Sequence, residues 1–131
     1  MNIDKNLKIL VAEDNLNLRK VLVNILKKIG FQEIQEADDG ENAWEMVQKG
    51  GVDLVLTDWA MPGLTGLELL DKIRSADAPL KTIPVMMITA ADTKSSIMTA
   101  GKHGIDGYII KPFSVNTVIE KLQEVLQNRA S

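Results

Sequence analysis

Val52-Asp53-Leu54-Val55-Leu56-Thr57-Asp58 is the stretch on which the fold turns. The apolar run from Val52 to Leu56 predicts a strand buried on both faces, stopping at Thr57-Asp58. Such a strand belongs in a parallel sheet covered by helices on each side. The flanking sequence agrees. Leu7 to Ala12 (LKILVA) is a first apolar run, ending at Glu13-Asp14-Asn15. A helix-period stretch follows, with Leu18, Val21, Leu22, Ile25, Leu26 and Ile29 on one face and Gly30 as its stop. Ile34 to Ala37 is a short second strand. Asp38-Asp39-Gly40 makes a turn, and a second helix runs to about Lys49. Beyond Asp58, the Met61-Pro62-Gly63 loop leads to a third helix from about Gly66 to Arg74. Val85 to Ile88 is a fourth strand, and Asp92 to about Lys102 a fourth helix. Tyr108 to Ile110 forms the fifth strand, and Ser114 to about Gln127 the last helix, carrying Val118, Leu122, Val125 and Leu126. Five strands alternating with five helices predict a doubly wound α/β domain with a five-stranded parallel sheet.

Composition narrows the function. The 131 residues are expected to form one domain, with its core at about 7–127. Hydrophobic residues at 45% and charged residues at 25% suit a globular protein and exclude disorder. Eighteen acids against fifteen bases leave a net charge of -3, which disfavours nucleic acid and anionic membrane as partners. The absence of cysteine excludes disulfides, thiolate metal sites and cysteine nucleophiles. MNIDKN lacks the basic start and apolar run of a signal peptide, and no apolar stretch is long enough to span a bilayer. A cytoplasmic monomer is expected.

Ligands of open α/β sheets bind beyond the carboxyl ends of the strands. Strand one ends in Glu13 and Asp14, strand three in Asp58, strand four in Thr89 and strand five in Lys111. Three carboxylates, a hydroxyl and an ammonium therefore converge on one edge. Clustered carboxylates repel unless protonated or neutralised by a metal. Oxygen ligands without His or Cys favour Mg²⁺. A carboxylate beside such a metal can accept a phosphoryl group, with Lys and Thr contacting its oxygens. Each residue also has a plainer reading. Asp14 could cap helix one, Glu13 could be a solvated strand end, Asp58 a loop acid, Thr89 a strand-end threonine and Lys111 a surface lysine. Their joint placement outweighs these.

The motifs Val11-Ala12-Glu13-Asp14-Asn15, Asp58-Trp59-Ala60-Met61-Pro62-Gly63, Ile88-Thr89-Ala90 and Gly107-Tyr108-Ile109-Ile110-Lys111-Pro112-Phe113 make the chain recognisable. It resembles the receiver domain of bacterial two-component response regulators, and among them the chemotaxis-type, CheY-like single-domain members. The resemblance runs from about Leu7 to Leu126 and implies a flavodoxin-like sheet of order 2-1-3-4-5. It further implies Asp58 as phosphoacceptor, and Glu13, Asp14, Asp58 and the backbone carbonyl of Ala60 as ligands of Mg²⁺. Thr89 resembles the switch hydroxyl, and Lys111 the lysine that pairs with the phosphoryl group, followed by a cis bond to Pro112. Tyr108 resembles an aromatic switch on the output face, where Lys121 also falls.

Three positions depart from the pattern. Glu13 stands where Asp is commoner, so its metal contact is expected through water. Ala60 and Ala91 stand where chemotaxis regulators often carry Asn and Glu, so the phosphoryl lifetime cannot be transferred from relatives. His103, among glycines near a helix end, reads as a surface residue. Met86, Met87 and Met98 are expected in core or half-core positions.

The resemblance implies a phosphorylation-controlled switch, not an enzyme acting on a separate substrate. A histidine kinase on another chain would be the donor and a downstream effector the output, with a flagellar motor switch protein suggested by the chemotaxis likeness. A general phosphorelay receiver with another effector is the alternative. A magnesium phosphatase of the haloacid dehalogenase type uses similar groups, but needs an acid two residues after its nucleophile. That position is Ala60.

Overall fold

A computed structural model of the chain describes residues 4–90 and 94–130. The sheet has five parallel strands: β1 (Lys8–Ala12), β2 (Glu33–Ala37), β3 (Leu54–Asp58), β4 (Val85–Thr89) and β5 (Gly107–Ile110). Their spatial order is β2-β1-β3-β4-β5. The helices are α1 (Leu16–Ile29), α2 (Gly40–Lys49), α3 (Gly66–Arg74), α4 (Lys94–Lys102) and α5 (Val115–Ala130), with a 3-10 turn at Leu80–Thr82. No described helix is long and apolar enough to cross a membrane.

Side chains of a strand alternate between its two faces. Ile9, Val11, Leu54, Leu56, Met86 and Ile88 enter one core with α1 and α5, while Leu10, Val55, Val85 and Met87 enter the other with α2 and α3. Burial on both faces is why the central strands read as unbroken apolar runs. β3 is the case that matters most. It starts at Leu54, two residues later than the pattern predicts, and continues through Thr57 to Asp58. Asp53 leaves the run because its carboxylate accepts the Lys8 N–H at 2.8 Å. Asp58 is therefore the last residue of a rigid strand, where the sequence places it just past the strand.

Other boundaries shift for local reasons. Val21 is 48% exposed, whereas Val23 is buried, so the buried stripe of α1 is rotated from the face predicted. Met86 and Met87 are core residues as expected, but Met98 is exposed. The predicted start of helix four at Asp92 lies outside the described residues. Helix ends carry their own chemistry: Thr65 and Glu68 form a reciprocal capping box at α3. The Lys111–Pro112 bond is cis, as expected, and so is Ala78–Pro79.

Candidate functional site

Strand register assembles the site. Ala12 pairs with Thr57, Asp58 with Ile88, and Thr89 with Ile110. Glu13, Asp58, Thr89 and Lys111 thus emerge at nearly one level from four strands. Backbone bonds extend the ladders past the strand ends, from Glu13 N–H to Ala37 at 3.0 Å and from Lys111 N–H to Thr89 at 2.9 Å. The residues that bear the side chains are therefore held by the sheet itself. Asn15, not Asp14, caps α1, its side chain accepting the Leu18 N–H at 3.0 Å. Asp14 is left exposed at the rim, and its reading as a cap is overturned.

Glu13 is 1% exposed and Asp58 7%. Lys111 Nζ donates to Asp58 Oδ2 at 2.8 Å and lies 3.9 Å from Glu13 Oε1. Asp58 Oδ1 accepts the Ala60 N–H at 3.3 Å. Glu13 Oε2 accepts the Asn15 N–H at 3.0 Å, whereas its buried Oε1 has no hydrogen-bond partner. One carboxylate oxygen each from Glu13, Asp14 and Asp58 lie within 4.8 Å of one another. Burial, and next the adjoining Asp58, push the Glu13 carboxyl up to about 8.

This donor set fits a hard divalent cation. It consists of carboxylate oxygens, one of them buried without a hydrogen-bond donor, and Mg²⁺ takes one or two carboxylates together with water and phosphate oxygens. A cavity of about 290 Å³ borders the cluster, lined by Asp58, Trp59, Ala60, Thr89, Ala90 and Lys111. Its walls bring a potential carboxylate nucleophile, a hydroxyl and an ammonium around one space, a geometry suited to holding a phosphoryl group.

The structure thus gathers Glu13, Asp14, Asp58, Ala60, Thr89 and Lys111 in one place. Tyr108 and Lys121 sit apart, on β5 and α5, with the Lys121 ammonium 5.2 Å from the Tyr108 ring centre. Ala91 lies outside the described residues. His103, read from the sequence as a surface residue, is half-exposed and bonded through Nδ1 to Asp71 Oδ1 on α3.

Arg19 and Glu36 are absent from the sequence reading, and nothing in the pattern marks them. An arginine in the first turn of a helix looks like a solvated side chain, yet this one reaches β2. Its Nη1 donates to the Glu13 carbonyl at 2.8 Å and its Nε to Glu36 Oε1 at 3.0 Å. Burial raises the Glu36 carboxyl, but Arg19 and Lys20 outweigh it and hold the group below its ordinary value.

A family model described as "Response regulator receiver domain" matches residues 9–123. The chain belongs to that family. Chemotaxis protein CheY-3 of Vibrio cholerae serotype O1 is 46% identical to this receiver domain over 125 residues, 95% of each chain. Chemotaxis protein CheY of Pseudomonas aeruginosa is 40% identical over 121 residues, covering 92% of this chain and 97% of the relative. The solved structure of chemotaxis response regulator CheY4 of Vibrio cholerae matches with a TM-score of 0.84 at 28% identity, covering 92% of this chain and 98% of that one. Receiver domains are signalling switches, and this fold is theirs.

Proposed function

We propose that the protein is a stand-alone response regulator that accepts a phosphoryl group on Asp58 from a histidine kinase and thereby changes its affinity for an effector. One observation carries the reading: a buried Asp58 with Lys111 Nζ at 2.8 Å, inside a cluster completed by Glu13 and Asp14. In the transfer, an Asp58 oxygen attacks phosphorus, the phosphorus–nitrogen bond of the donor breaks, and an acyl phosphate forms as imidazole leaves. Mg²⁺ bound by Glu13, Asp14, Asp58 and the Ala60 carbonyl would neutralise charge on the transferring group. Lys111 holds one Asp58 oxygen and leaves the other, met by the long Ala60 N–H contact, to act as nucleophile. After transfer, Lys111 and the Thr89 hydroxyl contact the phosphoryl oxygens. That change biases the face carrying Tyr108 and Lys121.

The similarity to two chemotaxis proteins supports chemotaxis as the pathway, and the resemblance to chemotaxis regulators suggests a flagellar motor switch protein as the effector. A binding assay tests this. With Mg²⁺ and beryllofluoride present, a peptide from the flagellar motor switch protein should bind at least about tenfold more tightly than without them, a shift of about 1.4 kcal/mol. Lys111→Ala should remove most of the difference. Equal affinity in both states would exclude the motor protein as effector, leaving a phosphorelay to be tested by transfer from a labelled kinase.

A further inference from the structure

Arg19 contributes no atom to the carboxylate cluster, yet it is tied to it through the backbone. Its side chain is only 14% exposed. The guanidinium spans the Glu13 carbonyl at 2.8 Å and Glu36 on β2 at 3.0 Å. Lys20 steadies Glu36 from the solvent side, 3.2 Å from each carboxylate oxygen. One side chain of α1 thus braces the end of β1 against β2.

The carbonyl it holds belongs to the peptide unit that joins Glu13 to Asp14. That unit is planar and rigid, so fixing its oxygen fixes how the chain turns from one carboxylate to the next. Glu13 faces the buried interior, whereas Asp14 is exposed. The same Glu13 is anchored elsewhere by its N–H to Ala37 and by Oε2 to the Asn15 N–H. Only the Glu13–Asp14 plane depends on Arg19 in this way. We infer that Arg19 is a positioning residue for the divalent-cation site, setting the placement of Asp14 relative to Glu13 without touching the cation. The inference rests on the metal-dependent reading proposed above.

Charge and geometry predict opposite signs here, which makes the idea testable. A guanidinium near an acidic site repels a cation, so on charge alone its removal tightens Mg²⁺ binding. Loss of a group that orients metal ligands instead weakens binding by about 10- to 100-fold. Lysine keeps the charge but cannot span two acceptors with a planar fork.

Titration with Mg²⁺, read by Trp59 fluorescence and by calorimetry, decides between them. Arg19→Met and Arg19→Lys should each raise the Kd by about tenfold or more. Melting of the metal-free variants, measured alongside, separates this from a merely structural role, which would lower Tm and leave the Kd of the folded protein unmoved. Unchanged or tighter binding by folded Arg19→Met overturns the inference. Should that variant fail to fold, an unchanged Kd in Arg19→Lys does the same. Asp14→Asn serves as control: if it binds Mg²⁺ like the wild type, or if the wild type binds none, the underlying metal-site reading fails and the inference falls with it.

Discussion

Glu13 carries its carboxyl into a buried space beside Asp58, where one of its oxygens meets no donor. The folded protein therefore holds a proton that the unfolded chain releases. With the folded value raised from 4.5 to about 8, the contribution of Glu13 is present below 4.5 and lost as pH rises toward 8. Urea midpoints of chelated protein should fall across that range by an amount equivalent to roughly 1–3 kcal/mol, the cost of a buried group left unsatisfied. Because a cation needs the carboxylates deprotonated, the stabilisation by Mg²⁺ should grow over the same interval. A midpoint that rises with pH in chelator would contradict this account of Glu13. Asp58→Asn follows from the same crowding. At about pH 9, above the Glu13 value of about 8 and so with most of that group ionised, it should raise the metal-free Tm by roughly 3–6 °C, about 1 kcal/mol. Near pH 5 the gain should vanish, since Glu13 is then neutral and the lost pairing with Lys111 dominates. Destabilisation at both pH values would mean that Asp58 acts chiefly as a structural partner of Lys111.

At the scale of elements, the site depends on how closely α3 begins behind it. A Cβ added at Gly66 would lie 2.2 Å from the Asp58 carbonyl oxygen, a backbone atom that cannot step aside. The Gly66 N–H also donates to the Trp59 carbonyl at 2.8 Å, closing the loop that carries Ala60. Gly66→Ala should therefore cost roughly 1–3 kcal/mol in chemical denaturation and also weaken Mg²⁺ binding, since it pushes on the residue that bears the carboxylate. Gly101→Ala is the natural contrast. It lies within α4 with nothing within 4 Å of a new Cβ, so it should be neutral or stabilise by roughly 0.5–1 kcal/mol. Equal effects from the two substitutions would show that close approach at Gly66 has no special role.

For the molecule as a whole, the features legible in the sequence are those written in local pattern. The apolar runs of the central strands and the helical periods between them specify a parallel sheet, because burial on both faces leaves no other arrangement. The site residues Glu13, Asp14, Asp58, Thr89 and Lys111 are legible for a related reason: each stands at a strand end, and the fold class alone brings such ends together. Features set by geometry between elements are not. Val21 fits the helical period of α1 as well as its neighbours do, and only the way α1 rolls on the sheet leaves it exposed. Asp14 and Asn15 are equally good caps by type, and the choice falls to the residue whose side chain reaches the Leu18 N–H. Arg19 braces a strand 17 residues further along the chain, a distance that no local pattern spans. The site itself centres on the Asp58 carboxylate. Its chemistry is tested most directly by incubating the protein with Mg²⁺ and acetyl phosphate, measuring the intact mass and mapping the modified residue. The account predicts one added phosphoryl group, on Asp58, dependent on Mg²⁺ and lost in Asp58→Asn. Stable labelling of another residue with none at Asp58 would contradict it.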